Sequence, residues 1–358
     1  MPTPDLYAVI MAGGSGTRFW PASRASRPKQ FLPIAGAAPM IAETWKRLEG
    51  LVRPEHVLVV TAESQAQLVR ECLPGLAPEN LLAEPLARNT APCVALAAFE
   101  IRRRAPDAVQ IVLPADHVIR PAEAFRRTLA AAAREAAASG ALLTFGIRPT
   151  HPATGYGYVE TGEQMHAVDG IPVHRVVRFV EKPDRARAEE FLAQGSFLWN
   201  SGIFVWSTSA ILEAVREHVP AVHAGLERVE AGAPLGEEYA RFASEPVDVA
   251  ILERAANVRT MPIEYEWNDV GSWAALPEVA PADEHGNWPA LSGGARLVTV
   301  EAEGCVAYAE AGEVLALVGV KDLVVVRAGN ATLVCPRDRA QDVKRIVEEL
   351  RGSAPEFL

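Results

Sequence analysis

The chain has few cysteines. Cys72, Cys93, Cys305 and Cys335 are the only four in 358 residues, and no two stand at CxxC spacing. This argues against a zinc ribbon and against a dithiol redox motif. The apolar surroundings of the four suit small core side chains in a reducing compartment, so the cytoplasm is the expected location. No uncharged apolar run approaches the roughly 18 residues that would read as a membrane span. The N-terminal stretch MPTPDLYAVIMAGG has no basic segment ahead of a long apolar one, so it does not read as a signal peptide. Positive charge is also in deficit. The net charge is −10 and the sequence pI about 5.4, which argues against nucleic acid and membranes as partners. No GxSxG occurs, and no Ser–His–Asp arrangement can be assembled from the sequence, so a nucleophile supplied by the protein is not expected.

What is present is a chain rich enough in apolar residues, 49%, to bury a sizeable core. Through the first half, strand-like runs (Tyr7–Met11, His56–Val60, Asn80–Ala83, Val109–Leu113, Leu142–Phe145) alternate with helix-like segments (Pro39–Leu51, Glu63–Leu73, Ala91–Arg103, Ala122–Ala138). Most of the strand runs are continuously apolar, as buried parallel strands are. The alternation predicts an α/β fold with a doubly wound, mostly parallel sheet, and ligands beyond the carboxyl ends of its strands. The middle, from about 150 to 275, is less regular, with strands at Tyr156–Glu160 and Arg175–Glu181. A turn-rich stretch, PADEHGNWPALSGG at 281–294, separates a domain over 1–280 from a small β-rich domain over 295–358. Strand runs there are Arg296–Val300, Val306–Ala309, Val314–Val318, Leu323–Val326 and Thr332–Cys335, followed by a helix Asp338–Arg351. No clean internal repeat is evident.

The first strand runs directly into AGGSGTRFWPASRASRPKQF. Gly13, Gly14 and Gly16, with Ser15 and Thr17, form a loop whose backbone N–H groups can approach a polyphosphate closely. Arg18, Arg24, Arg27 and Lys29 follow, and no Asp or Glu occurs from residue 6 to residue 42. Cations without nearby carboxylates suit a polyanion site. Neither familiar phosphate motif fits: Arg18 stands where a Walker A loop needs glycine, and Phe19 where a dinucleotide GxGxxG needs its third.

Other constellations lie further along. LPADHVI (113–119) puts Asp116 at the carboxyl end of the fourth strand, where it can hold Mg²⁺ or cap a helix near Pro121. Its neighbour His117 reads as structural. WNDVGSW (267–273) offers Asp269 as a second magnesium ligand, or as an ordinary turn residue. FVEKPD (179–184) offers Glu181 for sugar hydroxyls and Lys182 for a phosphate, or a surface ion pair at a strand end. On a straight strand adjacent side chains point to opposite faces, so unless the strand bends at Pro183 the two cannot both face one ligand. EPLARNTAP (84–92), TGYGYVE (154–160) and WNSGIFVW (199–206) complete the set.

In this order the segments resemble the sugar-nucleotide pyrophosphorylases, and among them the guanylyltransferases that act on mannose 1-phosphate. The resemblance covers residues 7 to about 275 and continues more weakly in DLVVVRAGNATLVCP. It implies a Rossmann-like nucleotidyltransferase fold, with a C-terminal tail that is a short left-handed β-helix. It implies that Ala12, Gly13, Gly14, Ser15, Gly16 and Thr17 hold the triphosphate, with Arg88 and Asn89 near the guanine. Arg18 and Lys29 would neutralise developing charge. Asp116 and Asp269 would bind Mg²⁺, Lys182 the sugar phosphate, and Gly157, Glu181 and Asn200 the sugar. The implied reaction makes GDP-mannose and pyrophosphate from GTP and mannose 1-phosphate. The alternatives are glucose 1-phosphate with UTP or dTTP, and a catalytically silent regulatory subunit. The expected partners are the two small-molecule substrates, and a homodimer is compatible with the sequence. Two departures stand out. Pro246 occupies a position where relatives often carry Ser before Val/Ile-Asp, and the isomerase domain appended in bifunctional relatives is not expected here, nor is phosphomannose isomerase activity.

Overall fold

The structure, a computed structural model, describes residues 5–14 and 16–358. Eleven strands belong to the larger, N-terminal part: β1 (Leu6–Met11), β2 (Val57–Ala62), β3 (Leu81–Glu84), β4 (Val109–Pro114), β5 (Val118–Arg120), β6 (Leu142–Ile147), β7 (Tyr158–Val168), β8 (Ile171–Val180), β9 (Phe197–Ser207), β10 (Val258–Ile263) and β11 (Glu266–Asn268). Nine of them form one sheet in the order β3-β2-β1-β4-β9-β6-β10-β8-β7. β1 to β4 are parallel, as are β6 and β10, while β9 and β8 run the other way. The sheet is therefore mixed rather than purely parallel. Helices cover both faces, and their apolar sides form two cores. Val94, Ala97 and Ile101 of helix Thr90–Arg104 belong to one, and Phe125, Leu129 and Ala132 of helix Ala122–Ser139 to the other.

The sequence reading does not anticipate β9 and β10. In β9 the apolar run is broken by Asn200-Ser201-Gly202, and Gly202 has φ of +69°. The strand nevertheless continues through these polar residues because Trp199, Ile203, Phe204, Val205 and Trp206 are all buried around them. β9 is the strand that reverses direction in the middle of the sheet, between β4 and β6.

β5 and β11 form a separate two-stranded antiparallel ribbon, with Asn268 opposite Val118. This ribbon matters most for the chemistry. It places the residue after β11 beside the residues between β4 and β5.

The C-terminal part is built from β12 (Trp288–Leu291), β13 (Arg296–Val300), β14 (Val306–Ala309), β15 (Val314–Val318), β16 (Leu323–Ala328) and β17 (Ala331–Pro336). β12, β14 and β16 stack in parallel, and so do β13 and β15, with a further parallel bridge from Glu303 to Lys321. Each step between stacked partners is 18 residues along the chain. These are successive coils of a β-helix, so a regular internal repeat does exist. It escaped the sequence reading because its signal is burial alternation on short strands rather than residue identity. β12 also lies inside the stretch read as a boundary. The coils do not stand apart from the sheet domain. Val306, Tyr308, Val324 and Val326 share one core with Phe19, Trp20, Trp273 and Leu276, closed by Val343 and Val347 of helix Val343–Ser353. No helix of the described residues is long and apolar enough to cross a membrane.

Candidate active site

The glycine loop leaves the carboxyl end of β1 and is ordered from beneath. Gln30 is buried, and its Nε2 donates to the carbonyls of Ala12 (2.8 Å) and Gly14 (3.0 Å). Thr61 Oγ1 adds a second donor to the Ala12 carbonyl, while Ala12 N donates to Val60. The Ala12 backbone is thus spent on the fold, and Gly13 and Gly14 are the exposed part of the loop. Gly16 has φ of +59°, and a Cβ there would stand 2.5 Å from Lys29 Cβ, so only glycine lets the loop turn over Lys29. Ser15 lies outside the described residues.

Lys29 is 4% exposed. Its ammonium donates to Asp116 Oδ2 (2.8 Å), to the Asp116 carbonyl (3.1 Å) and to the Asp269 carbonyl (2.7 Å). Lys29 is thus a strut between the two aspartates, and it also lines the cavity on the glycine-loop side. Burial alone would push the Asp116 carboxyl up. The Lys29 ammonium, by its charge and its hydrogen bond and with a backbone hydrogen bond beside it, outweighs it and holds the group below the usual carboxylate range. Tyr156 donates its hydroxyl to Asp269 Oδ1 at 3.0 Å, and burial together with that carboxylate raises the phenol, so it stays protonated.

Two cavities meet at this strut. One, of about 310 Å³, is lined by Gly14, Gly16, Thr17, Arg18, Lys29, Asp116, His117 and Asp269. The other, of about 210 Å³, is lined by Gly157, Glu181, Lys182, Asn200, Asp248, Tyr156, His117 and Asp269. His117 and Asp269 belong to both. Burial lowers the His117 imidazole, and its Nδ1 accepts from Trp267 Nε1 at 3.2 Å, so the ring is neutral with its proton on Nε2. Arg18 is exposed and makes no hydrogen bond or ion pair among the described residues. A Cβ on Gly271 would lie 3.1 Å from Asp269 Oδ2 and 3.4 Å from Arg18 Nη1, so carboxylate and guanidinium face one spot.

In the second cavity β8 ends at Val180, and Lys182 has φ of +44°, a left-handed conformation that costs a non-glycine residue about 1–3 kcal/mol. That turn brings Glu181 and Lys182 to the same side, where Lys182 Nζ donates to Glu181 Oε1. Lys182 is 61% exposed at its side chain and reaches into solvent. A Cβ on Gly157 would stand 2.5 Å from Glu181 Oε2 and 3.5 Å from Asn200 Cβ, so a side chain there would displace the Glu181 carboxylate. The Asn200 amide is already engaged. Its Oδ1 accepts from Thr144 Oγ1 (2.7 Å), and its Nδ2 donates to Asp248 Oδ1 (2.8 Å).

Asp248 was not anticipated as a site residue, and neither were Gln30, Tyr156 and Glu84. Asp248 sits on a short π-helical turn. Its carboxyl is pushed up to about 7 by burial and then by the charge of Glu181. Glu84 closes β3 and is buried, with its carboxyl also raised to about 7 by burial. It lines a third hollow with Ala62, Glu63, Ser64, Pro85, Leu86 and Ala87, and its Oε2 would lie 3.7 Å from a Cβ on Gly13. Glu84 opens the quoted segment EPLARNTAP, so its position was visible although its burial was not. Arg88 turns the other way, donating to the carbonyls of Tyr239 and Ala240. Asn89 caps helix Thr90–Arg104 through the Thr90 amide. Neither lines the two cavities. Arg24, one of the clustered cations, is spent on the carbonyls of Pro21 and Phe357 and on Asn330.

The donor set around Lys29 fits a hard divalent cation. Asp116 and Asp269 both line the first cavity and offer carboxylate oxygens there, a donor pair of the kind that hard divalent cations take together with phosphate oxygens and water.

Residues 7–286 match the family described as "Nucleotidyl transferase", and residues 295–350 match the "MannoseP isomerase/GMP-like beta-helix domain". A Klebsiella pneumoniae protein named mannose-1-phosphate guanylyltransferase is 41% identical over 97% of this chain and 74% of its own length. An Escherichia coli K12 protein of the same name is 38% identical over 98% of this chain and 75% of its own. A solved structure from Thermus thermophilus, described as a mannose-1-phosphate geranyltransferase, superposes with a TM-score of 0.88. It is 38% identical and covers 97% of this chain and 99% of its own.

The raised carboxyl of Asp248 has a consequence for stability. Its folded value, about 7, lies above its unfolded value of about 3.9. The neutral form is favoured by folding, so the contribution is full below about pH 4 and is lost as pH rises through 7. Asp248→Asn, which cannot ionise, is expected to gain stability relative to the parent chain between pH 4 and 8. Denaturant unfolding of both ligand-free proteins across that range checks this. A difference independent of pH contradicts it.

Proposed function

The chain belongs to the nucleotidyl transferase family, and from that premise we propose that it makes GDP-mannose from GTP and mannose 1-phosphate. The observation that carries the reading is the meeting of two cavities at Asp269 and His117, each with an exposed cation: Arg18 on the glycine-loop side and Lys182 on the other. In this reading residues 1–280 carry the chemistry, and 295–358 form a bracing unit.

The triphosphate lies along Gly13 to Thr17, and the sugar phosphate along Lys182 with the mannose against Gly157, Glu181 and Asn200. A phosphate oxygen of mannose 1-phosphate attacks the α-phosphorus of GTP. The bond from that phosphorus to the oxygen bridging to the β-phosphate breaks, and pyrophosphate leaves with the electron pair. A phosphate monoester is mostly dianionic at pH 7, so no side chain need remove a proton. The protein positions the two phosphates and offsets charge. Arg18 meets charge growing on the leaving pyrophosphate. Lys29 fixes the distance between the aspartates. Asp116 and Asp269 would hold Mg²⁺, which when bound neutralises phosphate charge.

Glu84 supports guanine over the other bases. The Watson–Crick edge of guanine presents two adjacent donors, N1–H and the N2 amino group, and Glu84, once ionised above its raised value of about 7, can accept from both. Adenine, uracil and thymine each present an acceptor in one of those places.

The decisive experiment is a pyrophosphate-release screen of the common nucleoside triphosphates against several sugar 1-phosphates. Release should be fastest with GTP and mannose 1-phosphate, stop with EDTA and return with Mg²⁺. Release only from UTP or dTTP with glucose 1-phosphate favours the other transferase reading, and no release from any pair favours a silent subunit.

Two substitutions separate the halves of the site. Lys182→Ala removes one charge-assisted contact worth about 1.5–3 kcal/mol, so kcat/KM for mannose 1-phosphate should fall roughly ten- to a hundred-fold. Calorimetric binding of GTP alone should be unchanged, and a comparable loss of GTP affinity would move Lys182 to the nucleotide. Glu84→Gln turns one of two acceptors into a donor. It should cost GTP about ten- to a hundred-fold in kcat/KM while affecting ATP little. Equal losses for both nucleotides would remove Glu84 from base selection.

A further inference from the structure

We propose that the C-terminal tail, Pro355–Leu358, is a positioning clamp for the loop that carries Arg18. This inference rests on the transferase reading above. Arg18 stands in a single short turn, Thr17–Phe19, that ends at Trp20. Among the described residues Arg18 itself makes no hydrogen bond or ion pair, so its exposed side chain does not anchor that turn. What holds it comes from behind, and from the far end of the chain. Trp20 Nε1 donates to the Phe357 carbonyl at 2.8 Å, and Arg24 Nη1 donates to the same oxygen. Arg24 Nη2 also reaches Asn330 in the turn between β16 and β17. One backbone carbonyl of the tail thus receives two donors from either side of Pro21. Leu358 packs on the core that contains Phe19 and Trp20.

The tail is in turn fixed to the other chemical loop. Helix Val343–Ser353, from which it extends, packs against the Thr17–Phe19 turn. Phe19 lies 4.9 Å, centroid to centroid, from Trp273, and Trp273 Nε1 donates to the Trp20 carbonyl at 3.4 Å. Trp273 stands four residues beyond Asp269, and its ring also meets Tyr308 of the β-helix at 5.2 Å. Arg18 and Asp269 are therefore both mounted on one brace built by the C-terminal coils, helix and tail. Glu181, Lys182 and Asn200, the sugar-side residues of the second cavity, are not mounted on it, although Asp269 lines that cavity too. Glu181 and Lys182 lie in the turn after β8 and Asn200 in β9, outside this core.

The clamp predicts a split in the kinetics. Freeing the tail should let Arg18 wander where charge develops in the transition state, with the sugar phosphate still held. Trp20→Phe keeps the aromatic packing and removes one hydrogen-bond donor. It should lower kcat about two- to ten-fold, the range expected for a single neutral hydrogen bond. Deleting Pro355–Leu358 removes the acceptor for both Trp20 and Arg24 and should lower kcat further. The KM for mannose 1-phosphate should hold in both. The two changes should also be non-additive: Trp20→Phe in the truncated chain should cost nothing more, since its partner has gone.

The test is steady-state pyrophosphate release by the full chain and the three variants, with thermal unfolding of each alongside. Loss of kcat at constant mannose 1-phosphate KM, without additivity, establishes the clamp. Additive losses, equal rises in both KM values, or a lowered Tm with kcat intact overturn it. If the truncated chain does not fold, Trp20→Phe alone decides: unchanged kcat overturns the clamp, and reduced kcat at constant mannose 1-phosphate KM supports it. An active parent chain with indifferent variants refutes the clamp alone, whereas an inactive parent chain refutes the transferase reading first.

Discussion

The site depends on one buried cation. Burying an ammonium is costly unless its hydrogens are all met, and Lys29 satisfies that condition with one carboxylate and two carbonyls drawn from two distant segments. The arrangement has little freedom. Gly16 must turn over Lys29 without a side chain, and Gln30 beside it must reach back to the carbonyls of the glycine loop. Asp116 and Asp269 must then approach from opposite strands of the β5–β11 ribbon. The glycine loop and both aspartates are consequently tied to one buried charge.

Around that unit the remaining charges divide by whether they already have partners. Arg18 and Lys182 project into cavities from opposite sides of the Asp269–His117 junction, one without a protein partner among the described residues and one leaning on Glu181. In the proposed reaction, two phosphates brought into these cavities would meet at the junction, with negative charge offset at both ends. A neutral His117 there adds no cation of its own. The chemistry asked of the protein is small, so most of its design lies in holding these groups at fixed spacing.

The β-helix contributes to that spacing. Its coils bury Tyr308 against Trp273 and share their core with Phe19 and Trp20. The small domain is therefore structural support for the loops that surround the phosphates. Cores transmit displacement because they are close-packed, so a shift in these coils would reach Asp269 and Arg18 through a few rings.

The sequence by itself determined the strand–helix alternation of the first half. It also determined the glycine loop after β1, the acid-free basic stretch, and the positions of Asp116, Asp269, Glu181 and Lys182. Each is legible because it depends on local pattern: period, turn residues, and charge within a short window. The end of β8 before Lys182 was expected only because the resemblance puts Glu181 and Lys182 in one site, where alternation on a straight strand would have separated them. Only the tertiary structure decided which cations are free. Arg18, Arg24, Lys29 and Arg88 look alike in the sequence, yet Arg24 is taken up by Phe357, Lys29 by Asp116 and Asp269, and Arg88 by Tyr239 and Ala240, leaving Arg18. It also decided that Glu84 and Asp248 are desolvated acids, that β9 runs through Asn200 and Ser201, and that the tail repeats every 18 residues. The reason is physical. Whether a charge is available, and where its proton sits, depends on burial and on partners supplied from hundreds of residues away, and neither is written in the spacing of neighbours along the chain.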